Sequence, residues 1–461
     1  MTMRQNRRLP FCTWGICNIV VILLLTAARG QAAIYPDVVY SDCPTVAHQG
    51  PVGTMHSYTF DSYTCNIGNS NLIWASNGTP GLAMNIYRLS NGRLMQIGQS
   101  FVKRSCCAGA SNNCGLSCNG ASGGQLGAGC RDVYGASYNA GQSRLSPRST
   151  INAYTGAFSS FSGAGGDAVY KRCQVPQADL DPALNPGALY FIEGVYVGTD
   201  DAQAGAYANN ASYRRVTVTA GTYAMTTQGT MAVGTPAVQA WRSNGGGVGV
   251  VDTSVNVQIA GIPNEGVFYV SNKVTSLGNG RWLYDYAVFN LNSDLSGGSL
   301  SIPIPLGTNV TGVGFHDVDC HSGEIYSNTD WTMTVSASAV TWASPQTFAQ
   351  NPNSNALRWG TLYNFWFEAD RPPTGGSATI GLFKPNTPQA ITTSVQVPQG
   401  CTVMGDVSRD GTRNGSDVAR FVQAMSSNLT GSVDPDCADF DGNNLVDVND
   451  VAALVNLLVG P

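Results

Sequence analysis

The sequence predicts a mainly β chain: an antiparallel, β-sandwich-like body followed by a small all-α module at the C-terminus. Three observations carry this. Gly is abundant (54 residues) and charge is sparse (11% Asp, Glu, Lys and Arg), while Val, Thr, Tyr, Ser and Asn are common. Such usage suits strands joined by Gly/Asn turns rather than helices. Short apolar runs recur between turn signals along residues 33–395. Amphipathic helical spacing is confined to the tail, from residue 417 onward.

At 461 residues the chain has room for two or three domains. Residues 1–32 read as a secretory signal. Arg4, Arg7 and Arg8 supply a positive start, residues 11–28 an apolar run through Val20–Leu25, and Gly30-Gln31-Ala32 the small residues of a cleavage site. Cys12 and Cys17 leave with it. The remaining chain is expected to be secreted and extracellular. No membrane span is expected after cleavage, because no later stretch reaches about 18 apolar residues.

Residues 33–235 form the first expected domain, β-rich and disulfide-containing. Leu72–Trp74, Ala83–Leu89 and Leu189–Val197 read as strands, and Ser90-Asn91-Gly92-Arg93 as a type I′ hairpin turn. Eleven cysteines follow the signal, seven of them between Cys43 and Cys130. In an exported chain these imply disulfides, and the odd number leaves one thiol free or bridging between chains. Cys114 and Cys118 have a zinc-like spacing, but their Gly/Ser/Asn-rich setting favours a disulfide-held loop over residues 105–130. Residues 236–395 are expected to be a β-sandwich domain. Asn256–Ile259, Gly266–Val270, Trp282–Phe289, Trp331–Val335, Thr361–Phe367 and Ala378–Phe383 are strand-like, with turns at Gly278-Asn279-Gly280 and Pro372-Pro373. Pro385, Pro388 and Pro398 mark an expected linker.

The formal charge is −5, and residues 396–461 alone hold nine Asp and three Arg. Acidity is therefore local to the tail, and no basic patch points to nucleic acid. Two tail segments repeat at a spacing of 33 residues. Calcium takes about six to eight oxygens, which a 12-residue loop supplies from positions 1, 3, 5, 7, 9 and 12. In the first loop these are Asp406, Ser408, Asp410, the Thr412 carbonyl, Asn414 and Asp417. In the second they are Asp439, Asp441, Asn443, the Leu445 carbonyl, Asp447 and Asp450. Two calcium ions are thus expected. Position 12 is Asp in both, and Asp417 and Asp450 could equally serve in helix N-terminal turns. A helix follows each loop. Val418, Phe421, Val422 and Met425 form one apolar stripe, and Val451, Leu454, Val455 and Leu458 the other, so the helices are expected to pack on each other.

A duplicated calcium loop plus helix, with no entering helix, resembles a type I dockerin over residues 401–461. The resemblance implies docking onto a cohesin-like domain, often on a scaffold for polysaccharide-degrading enzymes. It places partner contacts at loop positions 10 and 11, here Gly415 and Ser416, and Val448 and Asn449. The two pairs differ, and Arg413 stands where an aliphatic residue is usual, whereas Val446 fits. Asn444 replaces Gly at position 6 of the second loop, which Asn tolerates through positive φ. Cys401 and Cys437 each precede a loop, so packed repeats should bring them into a disulfide. The module, residues 396–461, is expected to fold without contacting the body.

The body weakly resembles secreted bacterial proteins that end in such tails, which implies no activity. His316, Asp317, Asp319 and His321, with Glu324 nearby, are a candidate metal cluster: on a strand, Asp317, Asp319 and His321 would share a face. A polar strand end explains them more simply. His48 and His56 read as isolated polar residues. A glycosidase needs two facing carboxylates. The body has only Glu193, Glu265, Glu324 and Glu368, of which Glu193, in an apolar strand, is the candidate acid. Two functional readings stand. The first is an extracellular binding protein whose body recognises glycans or a surface, polysaccharide included, through aromatic rings, although most rings should be core. The alternative is a carbohydrate-active enzyme, a glycoside hydrolase acting in polysaccharide breakdown.

Overall fold

Antiparallel pairing organises the body into four stacked β layers, seen in a computed structural model that describes residues 35–460 except 320, 321, 428 and 430–432. The expected signal, residues 1–32, lies outside the described residues. A three-stranded sheet (Val38–Asp42, Ser62–Asn66, Arg131–Tyr134) covers one face of a nine-stranded sheet. The large sheet runs Met225–Ala232, Ala211–Val218, Leu189–Val197, Gly81–Ser90, Arg93–Arg104, Cys173–Pro176, Met55–Phe60, Val46–Val52, with Leu145–Ser146 paired beside Arg93–Arg104. Beyond it lie two five-stranded sheets. One is Asn256–Gly261, Val267–Gly278, Arg281–Asn290, Thr361–Ala369, Val310–His316. The other is Thr332–Val335, Ala339–Ala343, Gly297–Pro303, Pro373–Leu382, Ala390–Pro398.

Side-chain alternation explains the layering. Along Gly81–Ser90, Leu82, Met84 and Ile86 enter the core under the three-stranded sheet, while Ala83, Tyr87 and Leu89 enter a second core on the opposite face. Successive side chains of a strand point to opposite faces, so a strand covered on both sides is buried along nearly its whole length. Tyr190, Ile192 and Tyr196 face the first core, and Phe191, Val195 and Val197 the second. Gly194 completes the first face: a Cβ there would sit 2.4 Å from the Tyr40 ring. The second core also takes Tyr269, Ala287, Phe289, Trp359 and Leu362, so residues 33–235 and 236–395 share it. The third core, between the five-stranded sheets, holds Tyr284, Tyr286, Trp331, Trp342, Phe365 and Phe367.

The hairpin turn at Asn91-Gly92 has the positive φ that a type I′ turn requires (53° and 76°). Cys65–Cys114 and Cys118–Cys130 are disulfides, so Cys114 and Cys118 serve two separate bridges rather than zinc. Before the tail, the helices among the described residues have six residues or fewer.

The expected linker is not one. Ala390–Pro398 is a strand paired along its whole length with Pro373–Leu382. Thr392, Ser394 and Gln396 alternate with Ile391, Val395 and Val397, which enter the third core, and Thr393 is buried on that same inward face. Nor is the tail free of the body. Arg371, 3% exposed, makes two hydrogen bonds to Asp434, at 2.6 and 3.1 Å. Asp436 accepts from the Leu306 amide, and Gly307 lies so close to Pro435 that a Cβ would stand 2.7 Å from its ring. Residues from 35 onward form one compact unit.

Within the tail, Gly415–Met425 and Val448–Val459 are helical, and Cys401–Cys437 is a disulfide. The apolar stripes are only partly hidden. Phe421 and Leu454 are buried with Val407, Ala424, Val433 and Ala438, and Val451 and Leu458 pack against them. Val418, Val422, Met425 and Val455 are exposed. Loop residues fill the space between the helices, so each helix buries a narrower stripe than its sequence offers.

Candidate metal centre

The two tail loops share one backbone. Positions 4 and 6 have positive φ in both: Arg409 (58°) and Gly411 (86°), then Gly442 (72°) and Asn444 (65°). Asn444 thus adopts the conformation expected of it. Position 12 is buried in both, and its carboxylate fixes the loop ends. Asp417 accepts from the amides of Ser408 and Asn414, and Asp450 from those of Phe440, Asp441 and Asp447. Asn414 and Asp447 cap the following helices, and the amide of each donates in return to the carboxylate three positions on. These caps satisfy helix amides whether or not an ion is bound.

The second loop gathers carboxylates. Oxygens of Asp439, Asp441 and Asp450 all lie within 4.8 Å of one another, the only such acidic group among the described residues. Asp439 also accepts from the amides of Gly442, Asn443 and Asn444, which turns the loop around it. A set of hard oxygens at this separation fits calcium. Asn443, the Leu445 carbonyl and Asp447 lie at the remaining ligand positions of the loop. The first loop is arranged differently. Asp410 accepts from the Thr412 hydroxyl at 2.6 Å and from its amide, which hold its carboxyl down at about 2. Asn414 and Ser416 also donate to Asp410, so its oxygens are hydrogen-bonded within the loop.

Gly415, Ser416, Val448 and Asn449 are all exposed at the helix starts. Val448 is 73% exposed, and with Val418, Val422, Met425, Val455 and Val459 it leaves the tail with apolar surface uncovered. Arg413 is exposed, whereas Val446 packs on the tail core.

The body candidates fare differently. The strand carrying His316 ends there, so Asp317 and Asp319 do not alternate along a strand as expected. Beyond the strand, Asp317 accepts from Asn355 and the Asp319 carbonyl accepts from Gln99 at 2.8 Å. His316, Asp317 and Asp319 line a cavity of about 110 Å³ with Asp179, Gln96 and Gln174. Burial raises the Asp317 carboxyl to about 6 and lowers the His316 imidazole. His316 bonds the Gln96 carbonyl, and the trio is not gathered closely enough to hold one ion. His321 lies outside the described residues.

Glu193 is fully buried and closed in. It accepts from the Tyr87 hydroxyl (2.6 Å), the Asn85 amide (2.8 Å) and the Ala237 amide (2.6 Å). Burial raises its pKa. Asn85 in turn bonds Arg148 and the Gly360 carbonyl, so the cluster ties the large sheet to the sheet beyond it. The other three Glu serve separate bonds: Glu265 to Ser293, Glu324 to the Arg148 and Ser149 amides, and Glu368 to Arg281. Five Trp, at 74, 241, 331, 342 and 359, are buried, and the ring of Trp366 is covered by the Arg93 guanidinium at 3.8 Å.

One pairing escaped sequence reasoning. His48 and His56 are not isolated: their ring nitrogens meet at 2.9 Å across the hairpin of Val46–Val52 and Met55–Phe60. His48 pairs with Tyr58, two residues from His56 on the same face, and the register shifts just beyond, between His48 and Gly50; the pairing of the two segments, which spacing alone does not reveal, makes the rings neighbours. No known family profile matches the chain, and comparison with curated proteins likewise gives no match.

Proposed function

We propose that this is a secreted extracellular protein whose tail, residues 401–461, binds two calcium ions and docks onto a cohesin-like domain. The duplicated loop carries the reading: positions 4, 6 and 12 and the caps coincide across 33 residues. When bound, calcium would supply a positive centre that neutralises clustered Asp side chains. The chain's own part is to fold Asp439, Asp441 and Asp450 around one point and to present Gly415, Ser416, Val448 and Asn449 outward. The uncovered apolar residues beside these positions favour a protein partner. The three disulfides suit export to an oxidising compartment. For the body, five Trp are buried and the four Glu serve separate bonds, so neither set carries the glycan-binding or the hydrolase reading.

Calorimetric titration of the chelator-treated full chain with calcium tests the metal reading. Two sites are expected, with Asp439→Ala and Asp406→Ala each removing one, and the tail's helical circular dichroism should fall without calcium. No heat of binding and unchanged dichroism would overturn it. Docking is tested by binding to a panel of cohesin-like domains with and without calcium.

A further inference from the structure

Six of the eleven cysteines that follow the signal are paired. Cys43 and Cys173 are buried thiols, and Cys320 lies outside the described residues. Cys106 and Cys107 remain, adjacent in the chain and at the surface, with their sulfurs 3.1 Å apart. They follow strand Arg93–Arg104 at the start of the loop held by Cys65–Cys114 and Cys118–Cys130. Those bridges occupy the neighbouring cysteines and leave this pair to each other.

The surroundings favour a reactive thiolate. Tyr134 and Tyr138 stack beside the pair with ring centroids 4.7 Å apart. The Tyr134 hydroxyl lies 3.3 Å from the Cys107 sulfur and donates to the Cys107 carbonyl. The Lys103 ammonium stands 4.2 Å over the Tyr134 ring, and the Arg144 guanidinium 5.1 Å over that of Tyr138. Hydrogen bonds from Tyr138, Arg144 and Cys107 lower the Cys106 thiol to about 7. A thiolate is the nucleophile in disulfide chemistry, and cationic, partly exposed settings are where such cysteines sit.

We propose that Cys106 and Cys107 form a redox-active vicinal dithiol that exchanges with low-molecular-weight disulfides of the glutathione class. The Cys106 thiolate attacks one sulfur of the disulfide, forming a mixed disulfide and releasing one thiolate. Cys107 then gives its proton to solvent and attacks the Cys106 sulfur, closing Cys106–Cys107 and releasing the second thiolate. The protein loses two electrons and two protons, and the small disulfide is reduced to two thiols. Closure is reversible for a geometric reason. Consecutive Cα atoms are about 3.8 Å apart, less than the roughly 4.4–6.8 Å of ordinary disulfides. The closed ring is therefore strained and easily reduced, unlike the three bridges between distant residues.

The test uses the full chain, mildly reduced, incubated with oxidised glutathione, alkylated and mapped by tandem mass spectrometry. Cys106 and Cys107 should lose alkylation together, and their peptide should lose two hydrogens without retaining glutathione. Graded reduced glutathione should reopen this pair before Cys65–Cys114, Cys118–Cys130 or Cys401–Cys437. Cys107→Ser should trap glutathione on Cys106. Cys106→Ser should react more slowly at pH 7, because the Arg144 contact belongs to Cys106. The proposal is overturned if both thiols stay alkylatable in excess oxidised glutathione. A bridge from either to another cysteine, Cys320 included, overturns it too, as do equal rates for the two variants.

Discussion

Replacing Arg371 by Met should loosen the tail from the body. Arg371 sits between strands Thr361–Ala369 and Pro373–Leu382, with its guanidinium on Asp434 and on the Leu306 carbonyl. Asp434 is 4% exposed. Removing one partner of a buried ion pair leaves the other uncompensated and costs about 3–5 kcal/mol. Here the lower end applies, because Asp434 keeps Arg409 at 3.0 Å and the Asp436 amide at 3.2 Å. Arg409 is more exposed, at 39%, so it screens rather than replaces the lost partner. A loss of about 3 kcal/mol raises the population of detached tail on the order of a hundredfold. Hydrogen exchange of tail amides in calcium-saturated protein reads that population directly. Arg371→Lys should fall between, since a single ammonium cannot make both bonds. Arg371→Met with Asp434→Asn should recover part of the loss, since no buried charge is then left unpaired. Unchanged exchange in Arg371→Met would refute the clamp.

Two further outcomes are expected. Breaking Cys401–Cys437 with a double Ser substitution should destabilise the tail by about 4 kcal/mol in the chain-entropy model, for a loop closed over a separation of 36 residues; an unchanged urea midpoint for tail unfolding would contradict this. Asp201, fully buried and bonded to the Val38 amide and Asn210, has its carboxyl raised by burial to about 7. An unfolded Asp titrates near 3.9, so the protonated form is favoured in the fold. The stability from this group is full below about pH 4 and is lost as pH rises toward 7, a change on the order of 4 kcal/mol. Asp201→Asn should flatten stability over that window, and parallel pH profiles for the two proteins would sink the assignment.

Much of the local structure was legible because its causes are local. Leu189–Val197 and Arg281–Asn290 announce themselves as strands by β-branched and aromatic content. Asn91-Gly92 announces its turn because few other pairs accept two positive φ values. The tail loops were legible from oxygen-bearing residues at fixed spacing. The reading of 385–398 as a linker failed because Pro and Thr/Gln content outweighed the alternation of Ile391, Val395 and Val397, the stronger signal.

The sequence by itself determined some of the strands, among them Leu189–Val197 and Arg281–Asn290, the turn at Asn91-Gly92, that the tail is a duplicated loop and helix, and that Cys401 meets Cys437. Each follows from periodicity or from residues at fixed offsets, which any local stretch carries with it. Only the tertiary structure decided which face of a strand meets which layer. A strand such as Gly81–Ser90, apolar on both faces, reads alike whatever covers it. The closing of Glu193 by Tyr87, Asn85 and Ala237, the meeting of His48 with His56 and the pairing of Arg371 with Asp434 depend on that choice. So does the exposure of Val418 and Val422, since how much of an amphipathic stripe is hidden depends on what packs against it. These contacts join residues distant in the chain or across a shifted register, and no local pattern of residue types encodes them.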